Sequence, residues 1–270
     1  LVWHIRSSDR DPYDRLLCRL CTKLVLVADA LRDRFDFAAA RGKFVTIHNG
    51  VDLDEFRAHG SPSRPAGLEQ RSGDVVIACV GRVEPMKGQA RLVEALGGLG
   101  ESRRTLRLLL CGEITDEGYR RHCEKIAGRC GIADRVQFLG HRPDIAEVLS
   151  AADLVVLPSL TGEAFPRAVI EAMALGKPVV ATDVGGTREA IGEAVTGYVV
   201  PPDDAAALAD RIARLLADAA ARAAMGAEAR RRAEERFSIE QNVRATETLY
   251  RSLVDGASSA GIGTERGGDA

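Results

Sequence analysis

The chain reads as an α/β protein built on a parallel sheet with helices on both faces, and three observations predict this. Largely apolar runs at Val75 to Val80, Leu106 to Cys111, Val136 to Leu139, Leu154 to Leu157, Val179 to Thr182 and Tyr198 to Val200 alternate with segments of helical pattern. Strands buried on both faces lose the polar alternation of a half-exposed sheet, and such runs belong to parallel sheets. Gly81, Gly112, Gly140 and Pro158 follow these runs immediately, and the carboxyl ends of such strands are where ligands of open α/β sheets bind. At 270 residues and 46% hydrophobic content the chain can bury a sizeable core.

The elements follow in order. Leu1-Val2-Trp3 reads as a short strand, Asp11 to Cys21 as helical, Lys23 to Val27 as a strand, Ala28 to Phe35 as helical and Lys43 to Ile47 as a strand. These belong to one unit over residues 1–56. Residues 57–73 contain SPSRPAG, whose Pro, Ser and Gly without periodicity predict a linker. A second unit runs over residues 74–237, ending in the Ala/Arg-rich region Ala205 to Arg236, where helix propensity is high. Ser238 to Leu253 reads as a final helix within residues 238–255. Residues 256–270, GASSAGIGTERGGDA, are polar and Gly-rich and predict a disordered tail. Its Gly261-Ile262-Gly263 follows no strand, so the dinucleotide fingerprint is not met.

Bulk properties exclude several classes. A formal charge of −2 and a pI near 6.3 give no general reason to expect nucleic acid. The basic clusters at Arg103, Arg104 and Arg107 and at Arg230 to Arg232 read as solvated helix faces. No apolar run approaches the ~18–20 residues that cross a bilayer. The six cysteines sit largely in apolar contexts and read as reduced thiols, which places the chain in the cytoplasm. Cys18-Arg19-Leu20-Cys21 has zinc-like spacing, but no second pair completes four ligands and no metal is predicted. GxSxG, HExxH and GxxxxGK[ST] signals are absent.

The stretch from Pro158 to Glu189, PSLTGEAFPRAVIEAMALGKPVVATDVGGTRE, carries the chemistry. Leu154 to Leu157 leads as a buried strand, Pro158 to Ala164 forms a loop, and Pro166 at a first-turn position opens a helix that Gly176 closes. Glu163 falls in the loop and Glu171 in the second helical turn. Their separation prevents close contact on a helix surface, so they are suited to different parts of one ligand. Free amides around Phe165 to Ala168 would face the same space, where a helix N-terminus favours an anion.

This spacing, followed by EAMALGKPVVATDVGG, resembles the retaining GT-B glycosyltransferases of glycosyltransferase family 4, also called glycosyl transferases group 1. Three further segments extend the resemblance: VGRVEPMKG (Val80 to Gly88), HNGVD (His48 to Asp52) and TGYVVPPDD (Thr196 to Asp204). The resemblance as a whole covers roughly Leu1 to Leu253. The resemblance implies a nearly complete C-terminal Rossmann-like domain for the donor, the end of an N-terminal Rossmann-like domain on the acceptor side, and a last helix crossing back to it. The front of the first domain, with its Gly-rich loop, has no counterpart.

The resemblance also implies roles. Arg82 and Lys87, beside Gly81 and Gly88, would bind the diphosphate, a planar fork and a point charge meeting the departing anion. Glu171 would accept hydrogen bonds from the ribose hydroxyls and Glu163 from the sugar hydroxyls. Ala164, Phe165 and Pro166 would shape the loop so that amides reach the donor, and Gly185, Gly186 and Glu189 would border the nucleotide or form a plain turn. His4, in VWHIRSS, would line the cleft as a polar stabiliser, with Arg6 as a weaker neighbour, while His48 and Asn49 would fix the interdomain crossover. Asp52-Leu53-Asp54 has the DxD form but reads as a turn and helix cap.

The expected activity is transfer of a sugar, with retention, from a UDP-, GDP- or ADP-sugar to a glycan, lipid or small-molecule acceptor, without cofactor or metal. Contact with the inner face of a membrane through the rest of the first domain stays open. One rival is a nucleotide-sugar binding fragment without turnover; another is a GT-B sugar-nucleotide epimerase. An NAD-linked oxidoreductase fails for lack of GxGxxG after the first strand.

Overall fold

A computed structural model describes residues 1–58, 67, 68 and 73–261 of the chain. Most of the expected linker therefore lies outside the described residues. Two parallel sheets organise the rest. The smaller has the order β1 (Val2–Ile5), β2 (Lys23–Leu26), β3 (Phe44–Thr46), with helix α1 (Asp14–Leu20) after β1. The helical reading of Ala28 to Phe35 becomes a short 3-10 helix over Asp29–Arg34, a form that suits brief connectors.

Helix α2 (Leu53–Ala58) leads toward the larger sheet. Asp52 caps it, its Oδ1 accepting the amides of Asp54 and Glu55 at 3.0 Å each, so the DxD sequence is spent on a helix start. The larger sheet comprises β4 (Val75–Val80), β5 (Leu106–Cys111), β6 (Val136–Gly140), β7 (Leu154–Leu157), β8 (Val179–Thr182) and β9 (Gly197–Val200) in the order β6-β5-β4-β7-β8-β9. Every pairing is parallel. The chain builds outward from β4 to β6, then returns to place β7 on the other side of β4. Loops leaving β4 and β7 diverge at this reversal, and a crevice opens between them.

The helices are α3 (Gln89–Gly97), α4 (Glu117–Arg129), α5 (Ile145–Ala151), α6 (Arg167–Ala174), α7 (Thr187–Ala190), α8 (Ala205–Ala217), α9 (Ala219–Arg236) and α10 (Ile239–Gly261). Strand alternation divides the core. Ile77, Leu108, Leu110, Leu154, Val156 and Val180 pack with Leu92 and Leu96 of α3, Ile126 of α4 and Ile212 of α8. Val76, Ala78, Leu109, Val155 and Ala181 face α5 and α6, and this second layer continues through Phe237 to Leu24, Leu26 and Phe35 of the small sheet. Burial of each large aliphatic side chain contributes about 1.5–3 kcal/mol, so the shared layer holds the two lobes together. Asp218 interrupts the Ala/Arg-rich region: its side chain accepts the Ala221 amide, ending α8 and starting α9.

The two chain crossings between lobes lie side by side. The Val51 amide donates to the Phe237 carbonyl at 2.8 Å, and the Ile239 amide donates to the Val51 carbonyl at 2.9 Å. Beyond this point α10 returns along the small sheet. Its Asn242 Nδ2 donates to the His48 carbonyl at 2.6 Å, and its Tyr250 hydroxyl meets His4 Nε2 at 3.1 Å. The helix continues to Gly261, past the start of the expected disordered tail; residues 262–270 lie outside the description. Among the described residues no helix is long and apolar enough to cross a membrane.

Five cysteines are buried, and burial pushes the Cys18 thiol up to about 11. Lys43 Nζ donates to the carbonyls of Cys18 and Cys21 at 2.6 and 2.8 Å, so the CxxC segment is tied by its backbone. Among the described residues no three His, Cys, Asp or Glu side chains converge as metal ligands.

One local conformation invites correction. Ala194 turns between α7 and β9 with φ at 59°, a region that costs an L-residue about 1–2 kcal/mol. Ala194→Gly should raise stability by about 0.5 kcal/mol once glycine's greater unfolded-state freedom is subtracted. A higher urea midpoint at unchanged slope checks it; a lower midpoint would contradict the assigned strain.

Candidate functional site

The loops after β4 and β7 are joined by backbone before any side chain is considered. The Leu160 amide donates to the Met86 carbonyl at 2.8 Å. At Gly88, φ is +67° and an added Cβ would stand 2.0 Å from the Pro158 carbonyl oxygen, so only glycine permits this approach. The contact brings Lys87 over the loop that carries Glu163. Lys87 Nζ reaches Glu163 Oε1 at 2.5 Å, with side chains 16% and 11% exposed. The Ser159 hydroxyl donates to the same oxygen at 2.7 Å. Thr182, at the end of β8, supports the loop in turn through its hydroxyl, which donates to the Ser159 carbonyl at 2.5 Å.

Pro166 is the N-cap of α6, one position before the expected first turn. At the far end of the helix the Lys177 amide donates to Ala172 and the Gly176 amide to Met173, the paired bonds of a Schellman stop. Glu171 therefore sits one turn inside a firmly bounded helix. Burial raises its carboxyl above the usual range, opposed by Arg167 one turn earlier, whose guanidinium lies 3.1 Å away.

Lys87, Glu163 and Glu171 line one open cavity of about 330 Å³, together with Gly81, Pro166, Arg167 and Ala168. The apolar ends of β4 and β7, Val80 and Leu157, form its floor. A cation, a carboxylate joined to it and a second carboxylate on α6 can serve an elongated ligand carrying an anion and hydroxyls at separate points.

Other expected residues stand elsewhere. Arg82 lies beside the cavity, half-exposed, and its guanidinium pairs with Glu84 at 2.9 Å. Phe165 is buried against His48 and Phe237, with ring centroids 4.8 and 5.5 Å apart, and Ala164 is buried next to it. His4 and Arg6 line a second cavity of about 210 Å³ between the small sheet and α10, apart from the residues around Lys87. Glu189 faces the small lobe, accepting the amides of Asp29 and Ala30 at 2.8 Å each. Sequence reading passed over Arg167, Ser159 and Thr182. The i, i+4 spacing of Arg167 and Glu171 was the available signal for the first; the other two become supports only through the fold.

Comparison with known proteins adds one decisive observation. Residues 63–232 match the model of the family described as glycosyl transferases group 1. The chain belongs to that family. Among group 1 relatives in sequence, it is 35% identical over 255 residues to D-inositol 3-phosphate glycosyltransferase of Salinispora tropica, covering 89% of this chain and 51% of that protein. It is 34% identical over 233 residues to phosphatidyl-myo-inositol mannosyltransferase of Mycobacterium leprae, covering 84% and 59%. The chain thus spans about half the length of the curated relatives it matches. Among solved structures, HepE of Anabaena in complex with UDP and glucose superposes with a TM-score of 0.79 at 28% identity, over 93% of this chain and 71% of that one. A glycosyltransferase of Rickettsia africae gives a TM-score of 0.82 at 23% identity, over 94% and 70%. The fold of this group 1 chain is accordingly of GT-B type.

Proposed function

We propose that the chain carries the donor half of a retaining glycosyltransferase that moves a sugar from a nucleoside diphosphate to a hydroxyl of a small-molecule acceptor. The observation that carries this reading is the shared cavity at the strand-order reversal, with Lys87 and Glu163 joined at one side and Glu171 at the other. Glu171 accepts the ribose hydroxyls, Glu163 the hydroxyls of the donor sugar, and Lys87 and Arg82 meet the charge that grows on the departing diphosphate. No protein nucleophile is needed when the acceptor hydroxyl attacks from the face the diphosphate leaves, with a phosphate oxygen taking its proton. The uridine nucleotide in the HepE complex favours a UDP-sugar, and the names of the inositol 3-phosphate relatives favour a small phosphorylated polyol as acceptor.

Calorimetric titration with UDP, GDP and ADP tests the reading. Wild-type chain should select UDP, and Glu171→Ala should weaken it by about tenfold to a hundredfold, the loss of one or two hydrogen bonds to a charged acceptor. Binding unchanged by the substitution would sink the assignment of Glu171 to the ribose.

A further inference from the structure

Glu189 makes a set of contacts that donor binding leaves unexplained. One carboxylate oxygen accepts the Ala30 amide and the other the Asp29 amide, at 2.8 Å each, from residues about 160 positions earlier. The second oxygen also lies 2.9 Å from His48 Nε2. The Glu189 main-chain carbonyl accepts from Arg232 at 2.9 Å, which fixes α7 from behind. His48 in turn presents its ring to Phe165 at a centroid distance of 4.8 Å, while Asn49 Nδ2 donates to the Phe165 carbonyl at 3.3 Å. The turn before α7 completes the enclosure, the Gly186 amide donating to the Ala164 carbonyl at 3.0 Å. The loop Glu163-Ala164-Phe165 is therefore seated between His48 and Asn49 on one side and the turn before α7 on the other, and of these His48 is held by the Glu189 carboxylate.

We propose that Glu189 and His48 are positioning residues for the donor-sugar loop: the carboxylate fixes the His48 ring against the small lobe, and the ring seats Phe165 so that Glu163 is held at the cavity. The proposal rests on the donor-site reading above and adds to it a dependence of sugar recognition on the contact between lobes. Nucleotide recognition through Glu171 lies on α6, outside this chain of contacts. Loss of Glu189 or His48 should thus separate the sugar-bearing donor from the free nucleotide.

The test compares UDP-glucose with UDP by titration of the 270-residue chain and its Glu189→Ala, Glu189→Gln, His48→Ala and Glu171→Ala variants. Glu189→Ala and His48→Ala should each weaken UDP-glucose by about tenfold while UDP changes by less than about twofold. Glu189→Gln keeps one oxygen but sets its NH2 against the Asp29 or the Ala30 N–H, donor facing donor, so it should weaken UDP-glucose to an extent between wild type and Glu189→Ala. His48→Ala leaves the Glu189 bonds to the small lobe intact, so it keeps the test valid if Glu189→Ala folds poorly. An unchanged UDP-glucose to UDP ratio in both alanine variants, whatever their melting temperatures, overturns the proposal while a Glu171→Ala loss of UDP leaves the donor site standing. Wild-type chain that binds neither ligand, or UDP affinity indifferent to Glu171→Ala, overturns the donor reading and this inference with it.

Discussion

A Lys87→Ala chain is expected to bind UDP about a hundredfold more weakly than wild type, with little change in affinity for uridine. The ammonium offers a charge-assisted contact worth roughly 1.5–3 kcal/mol to a diphosphate, and a nucleoside offers it nothing to hold. The same substitution should cost stability. Glu163 keeps the Ser159 hydroxyl but loses its cation in a site where both side chains are largely covered. Stranding a fully buried carboxylate costs about 3–5 kcal/mol; partial exposure of this pair reduces the expectation to about 2 kcal/mol. Titration with both ligands and a thermal melt read the two effects separately. Equal weakening of uridine and UDP would contradict the diphosphate role.

Gly185→Ala should be more damaging to the fold of the site. An added Cβ would stand 1.6 Å from the Glu163 carbonyl oxygen, and φ is +55°. The left-handed conformation alone costs about 1–2 kcal/mol, and the overlap with backbone cannot be relieved by turning a side chain. Either the turn or the Glu163 loop must move. A stability loss of about 3 kcal/mol, equivalent to about 6–10 °C in a domain of this size, should accompany loss of sugar-nucleotide binding. Gly42→Ala provides the control, because φ there is +74° with nothing within 4 Å of the new Cβ, so only the conformational cost remains. Similar melting temperatures for the two variants would mean that the close approach at Gly185 carries no energy.

Much of the scaffold was legible from composition and punctuation. The strands Val75–Val80, Leu106–Cys111, Leu154–Leu157 and Val179–Thr182 coincide with the predicted runs, since each is mostly apolar and meets Gly, Pro or a charged residue at its end; Arg107, expected on a solvated helix face, is instead buried within the second of them. Gly81, Lys87, Glu163, Pro166 and Glu171 were named from a motif resemblance, and the fold gathers them around one cavity. Spatial order was not legible. Nothing in the residues of β7 says that it pairs with β4 rather than with β6. The bonds from Glu189 to Asp29 and Ala30 span about 160 positions and leave no periodic trace. The pairing of His4 with Tyr250 likewise depends on α10, which meets the imidazole only once the chain has returned to the small sheet. Arg82, a planar fork for the diphosphate by resemblance, is paired in the fold with Glu84 two positions away, a spacing that joins side chains in an irregular loop as no helix would.

The paired crossings at Val51 and Ser238 carry a mechanical consequence. The two covalent routes between lobes are laced together by the amides of Val51 and Ile239, so they behave as one pin rather than two tethers. A body hung on a single pin can swing but cannot slide. A rotation of the lobes about this point would strain the Glu189 contacts to Asp29 and Ala30 while Val51 keeps its partners.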